Sequence, residues 1–148
     1  MSKTRIVLAL LGIGLVAFIW AVTSFTKNIA ATPETFTVGE AFIEDLSAGD
    51  YGAATSLAVT ELQNEESQAA LASLVSQNSD ILNSGTSVHL TGRGIDNDIR
   101  YAYGTITSGD LEMPLYMEFM DENGETRVSY FSFNADDIPD YSSDQSGE

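Results

Sequence analysis

The sequence predicts an α+β domain carried behind one N-terminal transmembrane helix. Three observations predict it. Residues 6–25 contain no charged side chain. Residues 38–82 repeat their apolar side chains at helical spacing in three segments, and residues 87–134 alternate apolar and polar in four segments separated by turn residues. Helices followed by strands make an α+β arrangement: three helices packed on one face of a curved antiparallel four-stranded sheet.

The anchor comes first. Residues 6–25 read IVLALLGIGLVAFIWAVTSF, running from Ile6 through Leu11, Phe18 and Trp20 to Phe25. At the helical rise such a run spans about 30 Å, the thickness of a bilayer's hydrocarbon core. A soluble helix of that length would carry a polar stripe, and this segment has none. Trp20 lies near one end, where an indole favours the interface. Lys3 and Arg5 precede the segment and Lys27 follows it, so the positive-inside rule places the N-terminus in the cytoplasm and the domain in the periplasm or outside the cell. The competing reading is a signal peptide cleaved near Asn28-Ile29-Ala30-Ala31, but the apolar run exceeds a usual signal-peptide core and Lys27 intervenes. Residues 1–27 are therefore a cytoplasmic stub and anchor, 28–36 a linker, 37–134 the exported domain and 135–148 a disordered tail. The tail is acidic and broken by Pro139.

Charge narrows the partners. The chain has 22 acidic residues, and every one follows Thr32, where Arg93, Arg100 and Arg127 are the basic residues. That surface repels phosphate backbones and anionic headgroups, which excludes nucleic acid and confines lipid contact to the apolar helix. The chain has no cysteine, which removes disulfides, thiolate zinc sites and thiol nucleophiles.

Within the domain, Thr37 and Glu40 have capping-box spacing, and residues 38–48 set Ala41, Phe42 and Leu46 on one helical face. Gly49 ends this helix and Asp50 caps the next, residues 51–59, with Tyr51, Ala54 and Leu57 on one side. Asn64 caps a third helix over residues 65–82, where Glu65 and Glu66 favour the first turn and Ala69, Leu71, Leu74, Val75 and Leu82 form the inner stripe. Strands follow over residues 87–93, 98–107, 111–120 and 126–134, with turns at 94–97, 108–110 and Asn123-Gly124. The last is a type I′ hairpin signal, because both central residues need positive φ. In the third strand Leu111, Met113, Leu115, Met117 and Phe119 share one face, expected to pack on the third helix. Glu112, Tyr116 and Glu118 share the other. Pro114 removes a ladder donor there and implies a bulge or an edge position.

The stretch AFIEDLSAGDYGAATSLAVTELQ (41–63), with its Gly-Asp-Tyr corner, resembles the opening of the nuclear transport factor 2-like superfamily, in particular its small membrane-anchored bacterial members. The hairpin ENGETRVSYFSF (122–133) resembles that family's last strand pair. The resemblance covers most of residues 38–134 and implies a strongly curved sheet wrapped by helices into a cone, often dimeric through the open sheet. The family often has a tryptophan shortly after the hairpin glycine, and Thr126 stands near that place here. The superfamily includes isomerases, dehydratases, ligand binders and interaction modules, so fold alone decides no function.

The chemistry-bearing residues are few. His89 is the only histidine, on the strand face opposite Val88 and Leu90, and one histidine without a spaced partner makes no metal site. No G-x-S-x-G, Walker or G-x-G-x-x-G motif is present, and Gly92-Arg93-Gly94 reads as a turn. The acidic turns around Asp96 and Asp121 lack EF-hand spacing. No catalytic residue, metal or other cofactor is expected. Tyr101, Tyr103, Tyr116 and Tyr130 alternate along the strands, as ligand-lining tyrosines of a cone would and as half-buried sheet residues do in any case. Arg100 and Arg127 could reach a ligand carboxylate, and His89 completes the candidate pocket set. These features point to a membrane-tethered binding or interaction module of the cell envelope, with the Tyr116 and Tyr130 face as contact surface for an envelope protein or a second copy. The alternatives are a small-molecule-binding cone or isomerase- or dehydratase-like enzyme, and an accessory or assembly subunit of an envelope complex.

Overall fold

The computed structural model describes residues 33–138, and the expected anchor, most of the linker and the tail from residue 139 lie outside the described residues. Helix α1 is Pro33–Ser47, α2 is Tyr51–Ser56 and α3 is Glu65–Gln77, with a 3-10 turn at Thr60–Leu62 between the last two. Among the described residues no helix is long and apolar enough to cross a membrane.

Helix α1 begins at Pro33, so residues expected in the linker belong to it and Thr37 lies inside the helix instead of capping it. Proline at the first helical position and Glu34 in the first turn are the stronger start signals, since one presets φ and the other meets the helix dipole. Gly49 leaves the helix at φ 78°, and the Asp50 carboxylate accepts from Ala53 N at 3.0 Å to cap α2. The Asn64 side chain accepts from Ser67 N at 2.8 Å and caps α3. That helix stops at Gln77, short of Leu82, because Asn78 bonds back to the Leu74 carbonyl and turns follow.

Strands β1 (Ser87–Asp96), β2 (Ile99–Ser108), β3 (Leu111–Glu122) and β4 (Glu125–Ser132) form an antiparallel meander in the order β1-β2-β3-β4. Asn97 and Asp98, both at positive φ, make the first turn, so β1 runs three residues further than its sequence suggested. Asn123 (φ 53°) and Gly124 (φ 81°) make the expected I′ turn. The strands bulge between Leu90 and Gly92 and again opposite Glu118 and Phe119. Pro114 pairs only with β2, because β4 ends opposite Tyr116, so the proline sits on a locally unpaired edge of an inner strand.

The helix that lies on the sheet is α1, whereas α3 packs on α2 and α1. Gly39 favours the choice: a methyl group there would stand 3.1 Å from Met117 Sδ and 3.2 Å from Leu90 Cδ1 and Phe119 Cζ, so these side-chain tips would have to give way to it and the glycine lets α1 lie close to the sheet. Phe42, Ile43 and Leu46 then seal against Leu90, Ala102, Ile106, Leu115, Met117, Phe119 and Val128. Ala41 and Ala69 stay outside this core, and Leu111 is exposed. The free edge of β4 is covered by the connector after α2. There Val59 N donates to the Val128 carbonyl and Val128 N to the Leu57 carbonyl, both at 2.9 Å. After β4 the chain enters a second 3-10 turn, Ala135–Asp137, which folds back against β3.

Candidate functional site

Strand alternation decides which side chains meet. Ala102 and Met117 point at the helices and are fully buried, so Tyr101, Tyr103, Tyr116 and Glu118 beside them point the other way. Register then pairs Tyr103 with Tyr116, Tyr101 with Glu118, and Glu118 with Tyr130. The rings form a connected row. Tyr101 stacks on Tyr103 at 6.3 Å and on Tyr116 at 6.1 Å, and Tyr116 meets Tyr130 edge-on at 6.3 Å. Although this face lies away from the helices, Tyr101 is only 5% exposed and Tyr116 8%.

Two glycines make room for the row. Gly92 lies directly across from Tyr103 and Gly94 across from Tyr101, and a methyl group on either would collide with the ring opposite. The Gly92-Arg93-Gly94 segment, expected as a turn, is therefore the middle of an edge strand whose missing side chains are replaced by aromatic rings from its neighbour.

Carboxylates complete the face. Tyr116 Oη donates to Glu118 Oε1 at 3.1 Å, and Tyr130 Oη donates to Asp137 Oδ2 at 3.3 Å. Burial holds the Glu118 carboxyl above the ordinary glutamate range. The Tyr116 hydrogen bond opposes that shift, while Asp137 and Asp96 reinforce it. Burial also raises both phenols, helped by Glu118 beside Tyr116 and by Asp137 beside Tyr130. These tyrosines consequently act as neutral hydrogen-bond donors and not as bases. Aromatic faces, hydroxyl donors and carboxylates together suit a cationic group, which gains from the ring quadrupole and from the negative charge at once.

The other predicted residues go elsewhere. Arg100 projects from the helix side of β2, is 4% exposed, pairs with Asp121, and lies 3.4 Å from Thr126 Oγ1. Thr126 Oγ1 in turn is 3.5 Å from a Glu34 oxygen, so this cluster clamps the start of α1 to the far end of the sheet. Arg127 pairs with Glu125 and donates to the Ser56 carbonyl at the end of α2. The Arg93 guanidinium rests 5.3 Å above the Phe36 ring. His89 is exposed opposite Thr105, across the Leu90–Gly92 bulge from the glycines that carry the rings. Arg100 and Arg127 of the expected pocket set are engaged by Asp121 and Glu125 and not by the tyrosine row. A separate apolar cavity of about 20 Å³ lies between Phe42, Leu62, Leu71, Val128 and Phe131, touches only Tyr130 of the four tyrosines, and has room for about one water molecule. Among the described residues no group of three His, Asp or Glu side chains could hold a metal ion.

Glu118 and Asp137 were the members of this face that sequence reasoning did not single out. Glu118 carried a signal, since it stands two residues from Tyr116 and must share its side. Asp137 carried none, because its place depends on the fold-back of the last turn. Comparison of the chain with protein-family models, curated proteins and solved structures returns no match.

Proposed function

We propose that this chain is a membrane-tethered, extracytoplasmic binding module that meets a protein of the cell envelope through the tyrosine face of its sheet, and that it catalyses no reaction. The row of Tyr101, Tyr103, Tyr116 and Tyr130 interleaved with Glu118 and Asp137 carries the reading. Tyrosine is a favoured interface residue because it offers a rigid apolar body and a hydroxyl at low entropic cost. The tether rests on the uncharged residues 6–25. The abundance of carboxylates over arginines makes a lysine- or arginine-bearing segment the fitting partner.

Kinship with the nuclear transport factor 2-like superfamily belongs to the same proposal, supported by the corner in which Gly49 ends one helix, Asp50 caps the next and Tyr51 packs against the core. The small-molecule alternative has less support. The space between helices and sheet is filled by Phe42, Leu115, Met117 and Phe119, and the Glu118–Tyr116 pair stands on the opposite face.

Photo-crosslinking in native membranes tests the proposal. A benzophenone side chain is placed at Tyr103 or Tyr130, half-buried on the tyrosine face, or at Ser73, exposed on α3. Adducts with a second protein are expected from the two sheet positions and not from Ser73, and they should weaken with salt. Adducts from Ser73 alone would place the contact on the helices. An adduct of the chain with itself would make the partner a second copy.

A further inference from the structure

The carboxylates of the tyrosine face come from three separate elements. Asp96 ends β1, Glu118 stands within β3, and Asp137 ends the 3-10 turn after β4. Their relation is unequal. Glu118 lies between Tyr101 and Tyr130 in the register, half-buried, with one hydrogen bond from Tyr116. Asp137 is brought to the face by its turn and held there by Tyr130. The turn itself is slight: Asp137 N donates to the Asn134 carbonyl at 3.2 Å, Ile138 N to the Ala135 carbonyl at 3.1 Å, and Asp136 N to Asn134 Oδ1 at 3.2 Å.

Among the described residues, the titratable groups around Glu118 are Asp96 from β1, Tyr101 from β2, Tyr116 on its own strand, Tyr130 from β4 and Asp137 from the turn. Arg127 of β4 shares this sheet face opposite Met120 but is turned to Glu125 and the Ser56 carbonyl, and none of the nearer groups is a cation. An ionised Glu118 therefore repels Asp137, and a protonated Glu118 does not.

We propose that the turn Ala135–Asp137 is a proton-controlled strap on the tyrosine face, which settles onto Tyr130 when Glu118 carries a proton and lifts when Glu118 ionises. Burial of Glu118 moves the switch point above the ordinary glutamate range. Lifting the strap frees Tyr130, so acidification closes the face and neutral pH opens it. The consequence for a partner rests on the binding role proposed above. The strap itself does not, and its test needs no partner.

Nuclear magnetic resonance on the full-length chain in detergent micelles, from about pH 5 to about pH 8, follows the switch above the range in which an ordinary aspartate titrates. The amides of Asp137 and Ile138 are expected to shift with one midpoint, shared with the Glu118 carboxyl carbon and above the usual glutamate value. In Glu118→Gln both amides should hold their low-pH positions throughout. In Asp137→Asn, which keeps an oxygen for Tyr130 but loses the charge, the Glu118 midpoint should fall. The proposal is overturned if the two amides titrate in Glu118→Gln as they do in the parent chain. It is overturned equally if Asp137→Asn leaves the Glu118 midpoint unmoved, a readout that stands even where Glu118→Gln fails to fold.

Discussion

Replacing Gly94 by alanine puts a methyl group where the Tyr101 ring lies. In an ordinary strand the exchange would stabilise by roughly 0.5–1 kcal/mol, because glycine loses more backbone freedom on folding. Here the ring must swing away or the strands must part. Swinging away forfeits the stacks on Tyr103 and Tyr116, each worth about 0.5–1.5 kcal/mol. Crowding a packed site adds about 1–3 kcal/mol. The net expectation is a loss of about 3 kcal/mol, which for a domain of this size lowers the melting midpoint by roughly 10–20 °C. Thermal melting of the full-length chain in mild detergent, read by tyrosine absorbance, measures it. A double-mutant cycle gives the sharper reading. Once Tyr101→Ala has removed the ring, Gly94→Ala no longer meets it and should cost nothing or regain its ordinary gain, a coupling of about 3–4 kcal/mol. Equal cost in both backgrounds would show that the glycine is not a bed for the ring, and the account of the tyrosine row would fall with it.

Asp121→Ala removes one partner of a guanidinium that is 4% exposed and also has Thr126 beside it, and it should cost about 1–2 kcal/mol in the same melt. Arg100→Met should cost less, because Asp121 keeps its access to water. Asn64→Ala removes the α3 cap and should cost about 1 kcal/mol, read as a loss of helical circular dichroism alongside a lower midpoint. Glu118 gives stability a pH dependence of unusual sign for a glutamate. Its folded-state value is raised, so the favourable contribution is full below the unfolded value and is lost as pH rises through the folded one. Melting midpoints compared between the parent chain and Glu118→Gln should therefore diverge as pH climbs out of the ordinary glutamate range, with the variant the more stable. A constant difference across that range would contradict the shift.

What the sequence disclosed was local. Asn123-Gly124, Gly49 with Asp50, and Asn64 each act within a few residues, and each performs the role its chemistry indicates. Which helix lies on the sheet was hidden, because the value of Gly39 depends on Met117 and Phe119, nearly eighty residues away in sequence. The apolar stripe of α3 pointed to that helix instead, and the close approach at Gly39 is what places α1 there. The tyrosine face was half visible. Alternation placed Tyr101 with Tyr103, but the glycines that support them looked like a turn, since only register shows a ring opposite each one. Arg100 was misplaced against a signal already present. It adjoins Tyr101, and neighbours in a strand point to opposite faces, so the two could not line one pocket.

An antiparallel sheet with helices on one side usually turns a plain polar face to water. This sheet instead has stacked rings, glycines beneath them and a carboxyl whose charge is disfavoured where it stands. The last two of those features carry a cost in stability. Glycine in a strand interior loses entropy on folding, and Glu118 opposes folding once it ionises. The core between α1 and the sheet is already filled by Phe42, Leu115, Met117 and Phe119, so folding does not require the outer face to be built this way. Local departures from what stability favours tend to lie where a protein acts. Here the glycine beds hold Tyr101 and Tyr103, and the desolvated carboxyl and the docked turn meet the adjoining Tyr116 and Tyr130. Their convergence on one surface, while the arginines are engaged elsewhere, is what makes that surface the place to seek a cationic partner.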